Sequence, residues 1–248
     1  MNYLCDEFPK IIHQSWKDKN LRKDFKVWAE TWKKHNPSYE YKLWTDEDNF
    51  NLISSDFSNF LTPYMSYNHN IKRADSVRCA YMYKYGGVYA DLDFECLKPF
   101  DTILEQYKGY SAILGFMGYD TNHQHCMPNA IMISKPGFDF WTHCMNIMSE
   151  RVNGGGPELD TGPILIREAY QTYYDKHKIA VLDTEIFYPL CWYNKEHEKA
   201  RFKGSPLWNN DGSFLSDEEK NELFPDSYAV TYWTSSWKDD SYNFSLLD

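Results

Sequence analysis

The 248-residue chain has no apolar run near the length of a membrane span, no Cys-x-x-Cys pair, no basic stripe and no low-complexity stretch. Each absence removes a class of protein. A spanning helix needs about 20 consecutive apolar residues, and the amino terminus also lacks the apolar core of a signal peptide. The expectation is therefore a soluble, cytoplasmic chain with no membrane span. Six cysteines, Cys5, Cys79, Cys96, Cys126, Cys144 and Cys191, are widely scattered. Two fall in segments that read as buried, which favours free thiols over a disulfide framework. Twenty-six Lys and Arg against 36 Asp and Glu give a formal charge of −10, the wrong balance for general nucleic-acid binding. A phosphate-bearing ligand would need local help from a metal or a few placed bases. His123-x-His125-Cys126 lacks the second ligand pair of a metal site and reads as a polar loop.

What the chain does have is aromatic side chains, 18 % of residues, within an ordinary globular balance of 42 % hydrophobic and 25 % charged. They suit cores, and also stacking platforms for sugars and bases. Lys10 to Trp16 reads as a buried strand. Phe25, Trp28, Ala29 and Trp32 recur at helical spacing over 24–35. Tyr39 to Trp44 alternates like a strand, and Thr45 with Asp48 forms a helix N-cap signal. Residues 50–67 suggest two small helices around Pro63, and Asn68 to Tyr85 one good helix ended by Gly86. Further strands are expected at Val88–Leu92, Ser111–Leu114, Asn129–Ser134, Ile179–Leu182 and Tyr228–Trp233. Helices are expected from Phe138 through Met148 and after Thr161-Gly162-Pro163. Residues 194–226 read as loop and short helix. The alternation of strands and helices predicts an α/β fold with a mostly parallel central sheet flanked by helices, and no domain boundary is visible.

The most informative stretch runs from Tyr85 to Pro99, with Asp91 and Asp93 following Gly86-Gly87-Val88-Tyr89-Ala90. In a strand, residues two apart face the same side. Two aligned acids repel unless a cation sits between them, and a divalent ion with oxygen ligands is the usual answer. The alternative is a solvated acidic turn, and the flanking residues decide. In the preceding helix, Asp75 and Arg78 are three apart and share a face. Alone they would be a routine ion pair; leading into the acidic strand, they are placed to reach the same pocket.

Lys10-Ile11-Ile12-His13-Gln14-Ser15-Trp16, Arg73-Ala74-Asp75-Ser76-Val77-Arg78 and the Tyr85–Asp93 segment, in this order, resemble the glycosyltransferase family 32 sugar transferases. That group includes fungal mannosyltransferases and bacterial capsular transferases, and is distantly similar to clostridial glucosylating toxins. The likeness is strong over 9–100 and weaker afterwards. It implies one GT-A domain, a Rossmann-like nucleotide-sugar fold, over 1–248. Residues 9–100 would form the donor and metal half, and 101–248 the acceptor side and closing loop. It also implies a nucleoside diphosphate sugar (UDP or GDP), Mn²⁺ or Mg²⁺, and an acceptor hydroxyl on a glycan, lipid or protein.

By the same resemblance, Trp16 stacks on the base, Asp75 and Arg78 bind the donor sugar, and Tyr89 lines the pocket. Asp91 touches ribose or bridges to the metal, and Asp93 is the direct metal ligand. Asn129 lies near the sugar, Asp160 and Thr161 on the acceptor side, and Ser236 with Trp237 closes over the diphosphate. Many relatives have histidine at or beside Thr231, which leaves a further metal ligand open; Thr231 or Ser236 could substitute. Retention of anomeric configuration is implied. No second carboxylate can be assigned as a nucleophile, so same-face substitution with proton transfer to the leaving phosphate is the expected route. Two alternatives remain. One is a phosphohydrolase of the haloacid-dehalogenase type, where Thr or Val usually stands at the place of Glu95. The other is a degenerate domain that binds a nucleotide sugar without turnover.

Overall fold

The structure is a computed structural model describing residues 7–191 and 215–234. The chain opens with β1 (Ile11–Ser15), α1 (Lys23–His35), β2 (Glu40–Trp44), α2 (Asp46–Asp56), α3 (Ser58–Ser66) and α4 (Asn70–Lys84). It continues through β3 (Gly87–Ala90), β4 (Phe94–Cys96), α5 (Asp101–Gln106), β5 (Ala112–Gly115), β6 (Ile131–Ser134) and α6 (Phe140–Glu150). Next come α7 (Pro157–Asp160), α8 (Pro163–Thr172), β7 (Ile179–Leu182) and α9 (Thr184–Phe187). Beyond the undescribed segment lie α10 (Asp217–Leu223) and β8 (Ala229–Thr231).

Six strands form one sheet in the order β2-β1-β3-β6-β5-β7, and β4 pairs with β8 in a second, two-stranded sheet. In the large sheet only β6 is reversed, antiparallel to both β3 and β5; β1 is parallel to β2 and β3, and β5 to β7. The α/β class and the mostly parallel sheet are as the sequence predicts. Both faces are covered. Tyr89 and Met132 join the core with α4, α6 and α8 on one side, whereas Val88, Ala90, Ile131 and Ile133 pack with Trp32, Phe94 and Phe100 on the other. A sheet buried on both faces needs apolar side chains at successive positions, as β3 and β6 have.

Local chemistry explains the joints. Thr45 and Asp48 form the reciprocal capping box that starts α2. Gly86 and Gly87 have φ of +64° and +86°. A Cβ on Gly87 would sit 2.5 Å from the Ile11 carbonyl oxygen, so glycine lets β3 lie close against β1. Two expectations need correction. The strand foreseen over Val88–Leu92 stops at Ala90, because Phe94 N–H closes a turn on the Asp91 carbonyl at 3.1 Å. The chain then leaves the large sheet and pairs Phe94 with Thr231. Likewise, the strand foreseen from Asn129 begins at Ile131. Cys79, Cys96, Cys126, Cys144 and Cys191 are buried free thiols, and Cys5 lies outside the described residues. Among the described residues no helix is long and apolar enough to cross a membrane.

Candidate functional site

The strand order reverses between β1 and β3, and a cleft of about 350 Å³ opens beyond their carboxyl ends. Such a crevice is where open α/β sheets bind ligands. Trp16 follows β1, and Asp91 follows β3; both line it, as do Asp75, Arg78, Tyr89, Asp93 and Asn129. The sequence-predicted donor residues are therefore brought together, apart from Ser236 and Trp237, which lie outside the described residues.

Arg78 is the centre of the donor wall. Its Nη2 meets Asp75 Oδ1 at 3.1 Å and Asp91 Oδ1 at 2.9 Å, and its Nη1 donates to the Asn129 carbonyl at 3.0 Å. The guanidinium lies 4.8 Å from the Tyr89 ring centroid, and Tyr89 donates its hydroxyl to Asp91 Oδ1 at 2.6 Å. Thr161 Oγ1 donates to Asp75 Oδ2 at 3.3 Å. Burial pushes both Asp75 and Asp91 above the usual carboxylate range, against the opposing pull of Arg78. The Asp91 backbone is fixed as well: Gln14 Nε2 donates to its carbonyl at 3.1 Å, and its amide donates to Ala130. Two buried donors, Arg78 Nε and Trp16 Nε1, have no hydrogen-bond partner among the described residues. A buried donor left unpaired is costly, which marks both as places for a ligand's acceptors.

Asp93 is held differently. It sits in the turn after Asp91, not on a shared strand face, and no lysine or arginine among the described residues pairs with it. Its Oδ2 accepts from the amide of Thr234 at 2.9 Å and from the Thr234 hydroxyl at 3.1 Å. Burial and the charge of Asp91 push its pKa up to about 6, against those two hydrogen bonds. A hard cation is favoured where carboxylates meet an unneutralised negative field, so Asp93 with Asp91 fits one. They supply two protein ligands at most. Among the described residues no three His, Cys, Asp or Glu side chains converge as a ready metal centre, so phosphate or water would have to complete the coordination.

Thr234 was not singled out in the sequence; the nearby Thr231 was. Thr231 is buried in β8, and its hydroxyl accepts from the Trp233 amide at 3.3 Å. Trp233 adopts φ +48°, a left-handed conformation that costs a bulky residue energy and clusters at functional sites. It lines the cleft, stacks on Tyr188 and donates Nε1 to the Leu190 carbonyl at 2.7 Å. A buried latch fixes this segment. Tyr232 donates to Glu95 Oε2 at 2.6 Å, and Lys220 reaches both Glu95 oxygens at 2.7 and 2.9 Å.

The α7 side of the cleft departs most from expectation. Asp160 is absent from the cleft lining. It is fully buried, and its Oδ2 meets Lys72 Nζ on α4 at 2.7 Å and the Gly155 amide at 3.1 Å. On the four-residue α7, the acid that lines the cleft is Glu158, two positions earlier, bonded to His125 Nε2 at 3.1 Å. Thr161 holds Asp75 and receives Asn129 Nδ2 on its carbonyl at 3.4 Å, so it braces the donor wall. The only sequence signal for His125 was the His-x-His pair.

The chain is similar in sequence to several known proteins. A glycosyltransferase sugar-binding region containing a DXD motif matches residues 23–110. Inositol phosphoceramide mannosyltransferase 3 of Schizosaccharomyces pombe is 46 % identical over 222 residues, covering 84 % of this chain and 58 % of that protein. Lactosylceramide 4-alpha-galactosyltransferase of Gorilla gorilla gorilla is 24 % identical over 171 residues, covering 64 % of this chain and 44 % of that protein. Among solved structures, the PaToxG glycosyltransferase aligns with a TM-score of 0.48 at 19 % identity, over 66 % of this chain and 68 % of that one. The chain thus spans about half the length of the two curated relatives.

Proposed function

Because the chain belongs to the family of glycosyltransferases that carry a DXD sugar-binding region, we propose that it moves a hexose from a nucleoside diphosphate sugar to an acceptor hydroxyl, with retention of configuration. The observation that carries this reading is a single one. Arg78 bridges Asp75 and Asp91 in the same cleft where Asp93 stands without a protein cation among the described residues.

The roles follow from the chemistry of each group. Trp16 offers an aromatic face to the base and Nε1 as a free donor. Asp75, held by Arg78 and Thr161, accepts hydrogen bonds from sugar hydroxyls, and Arg78 Nε donates to a ligand oxygen. Asp93, with Asp91 beside it, would hold Mn²⁺ or Mg²⁺. When bound, that cation neutralises the diphosphate as it leaves. Tyr89 and Arg78 keep Asp91 in one orientation, so positioning and charge placement carry the catalysis. Trp233, which lines the cleft, would help exclude water from the donor. The names of the two curated relatives put a sphingolipid headgroup first among acceptors, ahead of glycans and proteins.

A thermal-shift screen of UDP- and GDP-hexoses with Mn²⁺ tests the reading, since a bound donor raises apparent stability by mass action. One nucleotide family should raise Tm, and the rise should need the cation. No shift with any nucleotide sugar up to millimolar concentration would contradict the proposal.

A further inference from the structure

Resting on the transferase reading, one feature of the cleft goes beyond it. The α7 turn beside the donor network carries a carboxylate to which the donor chemistry assigns no role. Glu158 is half-exposed, with 46 % of its side chain accessible, and it lines the same cleft as Asp75, Arg78, Asp91 and Asp93. One of its oxygens, Oε2, meets His125 Nε2 at 3.1 Å. A carboxylate has about four lone-pair sites, so this contact leaves capacity for a further donor.

The wall is built rather than loose. Pro157 opens α7 with φ already fixed for a helix, and Pro163 opens α8 in the same way. The amides of Thr161 and Gly162 both donate to the Pro157 carbonyl, at 3.0 and 2.9 Å. Lys72 and Asp160 pin α7 to α4 from below, while Thr161 from the same turn reaches Asp75. The position of Glu158 is thereby tied to the position of the sugar-binding acid. His125 comes from the loop after β5, which is closed by the Met117 amide donating to the Cys126 carbonyl at 2.8 Å. Its side chain is 18 % exposed.

Charge keeps this carboxylate from the donor's diphosphate, and Asp75 already serves the hydroxyls of the donor sugar. A carboxylate repels the diphosphate of the donor and accepts hydrogen bonds from hydroxyls. We propose that Glu158, oriented by His125, is the acceptor subsite, and that it takes an uncharged hydroxylated ring, a hexose or cyclitol headgroup, by accepting a hydrogen bond from one of its hydroxyls. In the transfer, the attacking hydroxyl oxygen bonds to the anomeric carbon while the bond from that carbon to the phosphate oxygen breaks. The electron pair stays with the diphosphate, and the hydroxyl proton passes to the departing phosphate oxygen. Glu158 takes no proton in this scheme; it orients the ring, and His125 is a positioning residue.

The test compares transfer with the competing reaction of the donor with water. The parent, Glu158→Ala, Glu158→Gln and His125→Ala are assayed with a nucleotide sugar and Mn²⁺ against methyl glucoside, methyl galactoside, methyl mannoside and free inositol. For Glu158→Ala the ratio of transfer to donor hydrolysis should fall about tenfold or more, through a higher acceptor KM. Glu158→Gln, which keeps a carbonyl acceptor, should recover part of that loss. Saturation-transfer NMR of the same four probes, with nucleoside diphosphate present, reads binding without turnover; contacts seen in the parent should vanish in Glu158→Ala. A ratio within twofold of the parent in a folded Glu158→Ala variant overturns the proposal. So does an equal fall in transfer and hydrolysis, which would put Glu158 on the donor side. A parent that binds no nucleotide sugar overturns the transferase reading itself.

Discussion

The two walls of the cleft are made in different ways. The donor wall is a closed network: Asp75, Arg78, Tyr89, Asp91 and Asn129 bond to one another, and each sits on or beside a sheet strand or the long helix α4. The other wall is a loop and a four-residue helix that meet through the side-chain bond from His125 to Glu158. A network of charged groups around Arg78 must be oriented before a donor arrives, because reorienting buried charges during reaction is costly. A wall that admits different acceptors needs only an anchored frame with few polar contacts. The frame here is Lys72 with Asp160, helped by Thr161 with Asp75, and both join the helix of one wall to the turn of the other.

Breaking that joint should have the largest effect. Lys72→Met strands the Asp160 carboxylate in the core, and losing one partner of a buried ion pair costs about 3–5 kcal/mol. Tm in calorimetry should drop by roughly 10 °C; a drop under two degrees would mean that the walls are joined by other contacts. On the donor wall, Arg78→Lys keeps the charge but loses the planar fork that reaches Asp75, Asp91 and Asn129 together. Donor turnover should fall about 10–100-fold by kcat/KM, with a smaller drop in Tm than for Lys72→Met.

A smaller effect separates Asp91 from Asp93. Asp93 has a pKa raised from 3.8 to about 6. Its protonated form is favoured in the fold, so this group's contribution to stability is present below pH 4 and lost as pH rises through 6. The cation requires the carboxylate. The Mn²⁺-induced rise in Tm should therefore grow between pH 5 and 7, while the metal-free Tm loses the Asp93 contribution over the same interval. Asp93→Asn should flatten both trends, and an unchanged pH profile in that variant would remove Asp93 from the metal site.

The same comparison explains what the sequence made visible. Asn129 aside, the donor wall is legible because its residues lie in two contiguous segments, 73–78 and 85–93, whose spacing places them on one helix and in or just after one strand. Even there, strand spacing alone predicts two acids on one face. Asp91 and Asp93 occupy a turn, and that turn depends on Phe94 pairing with Thr231, far away in the chain. The same long-range pairing brings Thr234 to Asp93, which no local pattern announces. The other wall is legible only by neighbourhood. Asp160 stands beside Thr161-Gly162-Pro163, but α7 is too short for periodicity to tell its faces apart: Asp160 lies in the core and Glu158 lines the cleft. No local pattern marks Lys72 or Lys220, which are buried in ion pairs with distant acids.

The central claim is that the cleft cleaves a nucleotide sugar through its acidic turn. The most direct measurement is release of nucleoside diphosphate from UDP- and GDP-hexoses, with Mn²⁺ and with chelator, by the parent chain and by Asp93→Asn. Release by the parent with one nucleotide, abolished both by chelator and by the substitution in a folded variant, is the predicted result. Release that persists at the parent rate in Asp93→Asn would contradict it.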